Sequence, residues 1–156
     1  MTKRSAGILM YRRRGRVLEV LLVHPGGPLW AKRDLGAWSI PKGEYEADEE
    51  PLAAARREFR EELGAEVAGT FAALGTLVQP SRKEITAFAV EGDFAVAGLQ
   101  SNTFELEWPP RSGRTRQFPE VDRAEWFGVD EAHARILPGQ AAFLDRLMSR
   151  LPGSSG

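Results

Sequence analysis

The chain has 156 residues, 42% of them hydrophobic and 28% charged, a size and balance that favour one soluble globular domain with a core that needs no covalent staple. Cysteine is absent, which excludes disulfides and thiolate metal sites. With 21 Lys plus Arg against 22 Asp plus Glu the formal charge is −1, so the broad basic field of a general nucleic-acid binder is missing and any attraction to phosphate has to be local.

In chain order, the first apolar run is far too short for a secretion signal or a membrane span, and a cytoplasmic location is expected. Residues 6–11 and 17–24 are apolar and partly β-branched, separated by Arg12-Arg13-Arg14-Gly15-Arg16, which predicts a hairpin. His24-Pro25-Gly26-Gly27-Pro28 stops the second strand, and a polar loop with Trp30, Lys32 and Arg33 leads to Trp38. A helix is predicted over 51–63, where Leu52, Ala55, Phe59 and Leu63 form one apolar stripe. Pro51 suits its first position, Glu49 and Glu50 suit its positive end, and Gly64 suits a left-handed stop.

Residues 71–78 and 84–90 read as strands around Gln79-Pro80-Ser81-Arg82, followed by an irregular stretch to about residue 122. A last short strand is expected to begin or end at Trp126-Phe127, followed by helices over 130–136 and 139–151. Residues 152–156 read as a flexible tail after a single domain over 1–151. Strands on both sides of a central helix, with another helix at the end, predict an α/β class fold, a sandwich around a mixed sheet.

Residues 43–65 read GEYEADEEPLAAARREFREELGA, with Gly43, Glu49, Arg57, Glu58, Glu61, Glu62 and Gly64 at fixed spacings. These seven positions resemble the Nudix box, and all seven defining residues match. Phe59 stands where an aliphatic side chain is more usual, and Ala65 is small where a branched one is preferred. Glu58, Glu61 and Glu62 lie at i, i+3 and i+4, so a helix sets their carboxylates along one face, with Phe59 and Leu63 pointing the other way. Crowded carboxylates cost the helix a few tenths of a kcal/mol per pair, roughly, and raise one another's pKa; a divalent cation reverses both effects. Oxygen-only ligands select a hard ion, Mg²⁺ or as a substitute Mn²⁺.

The resemblance implies a Nudix-type α/β/α sandwich and a Mg²⁺-dependent pyrophosphohydrolase that cleaves a phosphoanhydride bond in a nucleoside diphosphate derivative. It implies Glu58 and Glu62 as principal metal ligands, with Glu61 and Gly43 completing the set. Glu61 is also the candidate base, and Arg57 pairs with Glu49 of the loop that folds back on the helix. Residues 36–43, Gly-Ala-Trp-Ser-Ile-Pro-Lys-Gly, resemble the approach to the box in Nudix enzymes acting on dinucleoside polyphosphates or diphosphoinositol polyphosphates. That makes Lys42 and Trp38 candidate substrate contacts, joined by Arg33 from the preceding loop, while Lys42 also fits a plain solvated turn.

Dinucleoside polyphosphates rank first as substrates and nucleoside triphosphates second. Sugar nucleotides such as ADP-ribose, inositol pyrophosphates and capped RNA rank lower. Arg82-Lys83 and Arg111, Arg114 and Arg116 are local basic spots that could receive a polyphosphate. Glu105, Glu107, Glu120 and Asp122 are candidates for a further acidic ligand or base, and the sequence does not choose among them. The expected partner is a small nucleotide, without membrane or general nucleic-acid binding. The competing reading is a Nudix-type module that binds a nucleotide without turnover; such modules commonly lack a box carboxylate, and none is missing here.

Overall fold

A computed structural model describes residues 3–151. The two runs flanking Gly15 are β1, Arg4–Arg14, and β2, Val17–Pro25, joined where Gly15 adopts a left-handed φ of 63°. β2 pairs with β1 only from Tyr11 to Arg14 and then diverges towards β8, Val121–Gly128. The gap is filled by the segment before the box. Ser39 exchanges both backbone hydrogen bonds with Val23 (2.8 and 2.9 Å), and Ile8 N–H donates to Pro41 O (3.1 Å). The short strand β3, Lys42–Glu44, then pairs antiparallel with Ser5, Ala6 and Gly7 of β1. The opening of the hairpin is thus what places Lys42 and Gly43 at the edge of the sheet.

On its other side β1 runs parallel to β5, Glu84–Glu91, which pairs antiparallel with β4, Ala72–Val78. The mixed sheet has the order β4-β5-β1-β2-β8, with β3 added to β1. Strand alternation sends successive side chains to opposite faces. Ile8, Met10, Leu21 and Val23 meet Ala54, Ala55, Phe59 and Leu63 of α1, Pro51–Leu63. Leu9, Val20 and Leu22 meet Ala132 of α2, Val129–Arg135, and Phe143, Leu144 and Leu147 of α3, Ala141–Arg150. Two cores on the two faces of one mixed sheet make the expected α/β/α sandwich.

The helix over 51–63 has the expected bounds, with Pro51 in its first turn and Gly64 at φ 78° donating its N–H to Arg60 O (2.8 Å). The stretch before residue 122 differs from the expectation. It holds a separate hairpin, β6 Thr103–Glu107 and β7 Thr115–Pro119, while the strand expected to begin or end at Trp126-Phe127 is β8, which starts at Val121 and ends just past that pair. The expected tail at 152–156 lies outside the described residues.

One contact over a long sequence separation fixes the approach to the box. Gln140, fully buried before α3, accepts the Ile40 N–H on its Oε1 (3.0 Å) and donates from Nε2 to Ser39 Oγ (3.0 Å).

Candidate active site

The polar face of α1 looks across at β3. A Cβ built on Gly43 would lie 2.0 Å from Glu58 Cδ, so only glycine lets this strand lie against that carboxylate. Arg57 organises the neighbouring side chains. Its Nε and Nη2 donate to the two oxygens of Glu49 (2.9 and 3.0 Å), a bidentate fork that ties the loop before the helix to the helix itself. Its Nη1 donates to Glu58 Oε1 (2.7 Å) and more loosely to Glu61 Oε2 (3.3 Å). The paired guanidinium holds Glu49 below the ordinary carboxylate range, and Glu49 in turn raises Arg57 further.

Glu58, Glu61 and Glu62 line a cavity of about 560 Å³ with Lys42 and Gly43 on one side, Gln79 and Lys83 on another, and Asn102, Thr103 and Glu120 on a third. Burial pushes Glu62 up to about 8; Glu58 and Glu120 push the same way, while the charge of Lys42 and a hydrogen bond donated by the Lys42 backbone N–H oppose it. Glu58 is also raised, first by burial and then by Glu61, against the hydrogen bond from Arg57. Anionic groups that resist ionisation beside one another form a strong demand for a cation.

Of the four late acidic candidates, Glu120 is the one that reaches this cavity. A backbone relay sets it there: Asn102 N–H donates to Glu61 O (3.0 Å), Glu120 N–H to Asn102 O (2.7 Å), and Gly26 N–H to Glu120 O (2.9 Å). Asp122 instead engages the buried ring of His24 at Nδ1 (2.8 Å), and Glu107 accepts the Arg111 N–H (3.0 Å). Among the basic spots, Lys83 lines the cavity, whereas Arg111, Arg114 and Arg116 belong to the exposed β6–β7 hairpin. Gln79, Asn102 and Thr103 were not singled out by sequence, because no motif or spacing marks a polar loop residue that tertiary packing brings in.

The structure places the other two substrate candidates, Trp38 and Arg33, outside the carboxylate cavity. Trp38 is 1% exposed: its Nε1 donates to Asp34 (2.7 Å), and its ring packs edge-on against His24 and Phe127, so it buttresses the sheet instead of presenting a face to a ligand. Arg33 is exposed, with its guanidinium 5.5 Å above the Trp30 ring, and its carbonyl accepts from His24 Nε2 (2.6 Å).

The charge balance at Glu62 gives a test of its environment. Its folded pKa of about 8 stands above the ordinary 4.5, so between those values the folded protein keeps a proton that the unfolded chain has released. Stability without metal should therefore fall as pH rises through this window. In the presence of a chelator, the melting temperature is expected to drop by several degrees from pH 5 to pH 8, at about 2–4 °C per kcal/mol. Glu62→Gln should flatten that slope; an unchanged slope would show that Glu62 is not the group responsible.

The family model of the NUDIX domain matches residues 1–147. A curated relative, the asymmetrical bis(5'-nucleosyl)-tetraphosphatase of Sus scrofa, is 30% identical over 138 residues, 85% of this chain and 83% of that protein. The RNA pyrophosphohydrolase of Gluconacetobacter diazotrophicus is 38% identical over 65 residues, 40% of this chain and only 36% of that protein. Among solved structures, a C. elegans Ap4A hydrolase binary complex superposes with a TM-score of 0.65 at 19% identity, covering 96% of this chain and 98% of that one. The NUDIX domain of Shewanella oneidensis NrtR, crystallised with ADP ribose, reaches 0.64 at 16% identity, over 96% and 88%. The shared fold, the complete box and these matches together show that the chain belongs to the Nudix family.

Proposed function

We propose that this chain is a Mg²⁺-dependent pyrophosphohydrolase of nucleoside diphosphate derivatives, with dinucleoside polyphosphates preferred to nucleoside triphosphates and Mn²⁺ able to substitute. The observation that carries this reading is the composition of one cavity: five carboxylates, Glu44, Glu58, Glu61, Glu62 and Glu120, face two ammonium groups, Lys42 and Lys83. The acids suit a hard divalent cation and the lysines suit phosphate oxygens.

Among the described residues no three acidic or histidine side chains converge as a ready-made cation cage. Mg²⁺ does not require one, since it is usually held by one or two carboxylates, retained waters and the substrate's own phosphates. The donor set therefore fits the ion, with Glu58 and Glu62 as its principal holders and Glu61, Glu120 and the Gly43 backbone nearby. When bound, the cation would neutralise charge on the pyrophosphate and make an attacking water more acidic.

The remaining tasks fall to side chains of this chain. Glu61 is 37% exposed and only loosely touched by Arg57, which leaves it able to accept a proton from water. Arg57 positions Glu58 and, through Glu49, the loop before the helix. Lys42 and Lys83 would bind the phosphates on either side of the carboxylates. The relative from Sus scrofa supports dinucleoside polyphosphates as the first substrates to try. No helix among the described residues is long and apolar enough to cross a membrane.

A product screen with Mg²⁺ should compare diadenosine tetraphosphate, ATP, ADP-ribose, an inositol pyrophosphate and capped RNA. The expected result is a kcat/KM for the tetraphosphate at least tenfold above that for ATP, which needs only about 1.4 kcal/mol of differential transition-state binding. Mass analysis of products formed in isotopically labelled water would locate the phosphorus attacked. Equal or reversed preference between the first two would overturn the ranking, and selective cleavage of the inositol compound would overturn the nucleotide reading.

A further inference from the structure

The carboxylate cavity continues into an apolar hollow that bond cleavage itself does not require. Glu120 stands on the boundary, and beyond it lies a space of about 200 Å³ walled by Leu29, Trp30, Phe104 and Leu106. Trp30 and Glu120 also line a passage past Lys42 and Glu62, so the hollow communicates with the place where phosphates would lie.

The walls are built, not left over from loose loops. Gly26 is pressed against the end of β7: a Cβ there would sit 1.9 Å from Pro119 O, and the Gly26 N–H is committed to Glu120 O. Gly27, at φ 94°, lets the Phe104 ring come down onto its bare backbone, where a Cβ would be 2.9 Å from Cζ. Along β6, Phe104 and Leu106 are half-buried while Glu105 and Glu107 between them are exposed, so the strand turns its apolar edge to the hollow. Leu29, 65% exposed, stands at the lip.

We propose that this hollow is the base subsite, taking the aromatic base of the nucleotide whose phosphates lie along Lys42 and Lys83. The assignment rests on the nucleotide-anhydride reading above and deepens it. A phosphate or a polyhydroxylated ring would find too few polar partners there and would be desolvated at a cost. A base brings a π-face that aromatic side chains accept with little regard to sequence. Trp30 and Phe104 lie outside the box, so the chemistry stays with the carboxylates while selection for a base falls to this pair.

The test uses a matched pair of non-hydrolysable probes, α,β-methylene-ADP and base-free methylenediphosphonate, titrated into the full chain with Mg²⁺. Trp30→Ala and Phe104→Ala should each weaken the ADP analogue at least tenfold and leave the base-free probe within twofold of wild type. Trp30→Phe should keep binding within threefold and lose most of the indole fluorescence quenching seen when wild type takes up the ADP analogue. Unchanged affinity for the ADP analogue in both alanine variants would overturn the subsite, as would equal weakening of both probes. If wild type cleaves nucleotide anhydrides while the variants bind normally, the subsite fails and the activity stands. If wild type cleaves none of them yet base-dependent binding requires Trp30 and Phe104, the activity assignment fails and the subsite stands.

Discussion

Glu62→Gln and Glu58→Gln are each expected to reduce turnover by roughly 10²–10⁵ at constant Mg²⁺, the range that follows from losing several kcal/mol of transition-state stabilisation at a metal site. The two positions differ in a way that separates catalysis from folding. Glu62 lies deep among other acids, and burial holds its pKa at about 8. Gln at that position removes an ionisation penalty, so the metal-free variant should melt no lower than wild type near pH 8 while losing most of the stabilisation that Mg²⁺ confers. Glu58 also accepts from Arg57 (2.7 Å), so its replacement should additionally loosen that arginine. The measurements are kcat and the melting temperature with and without Mg²⁺. Near-normal turnover in both variants would reject these residues as the cation's holders.

Arg57→Ala should lower turnover by about 10²-fold, the cost associated with misplacing catalytic groups by about an ångström. The guanidinium is the shared partner of Glu49, Glu58 and Glu61, so its removal leaves those acids without their common counter-charge and releases the loop before α1. Hydrogen exchange between Gly43 and Glu49 should accelerate along with the loss of activity. Arg57→Lys should restore little, because an ammonium cannot donate to both oxygens of Glu49 in the planar fork seen here. An inactive Arg57→Ala variant with unaltered exchange in that loop would point to direct catalysis by the arginine.

Local signals carried far in this chain. Helix α1 was legible because its apolar stripe, Pro51 and Gly64 all agree, and the inner β strands because their runs are β-branched and bounded by Gly and Pro. The β6–β7 hairpin was not. Phe104 and Leu106 do alternate with acids, but the pattern is brief, the connection carries Pro109, Pro110 and two residues at positive φ, and the hairpin lies outside the main sheet. Trp38 shows a different gap: the resemblance of residues 36–43 made it a candidate substrate contact, while its burial depends on α2 and β8, far along the chain. The choice of Glu120 over Glu105, Glu107 and Asp122 was likewise invisible, since it depends on backbone hydrogen bonds that link Glu61, Asn102 and Gly26.

The grip of Gln140 on Ser39 and Ile40 bears on how the enzyme is made. The residues that introduce the box leave the ribosome early, yet the amide that fixes Ile40 is 100 positions further along. At about 5–20 residues per second, that partner is synthesised some 5–20 s later. During this interval β1 and β2 can pair and α1 can form from local signals, but Ser39 and Ile40 lack the buried side chain that holds them in the finished protein. Completion of the catalytic edge is thereby coupled to completion of the fold, and a nascent or prematurely terminated chain would carry the whole box without its final placement.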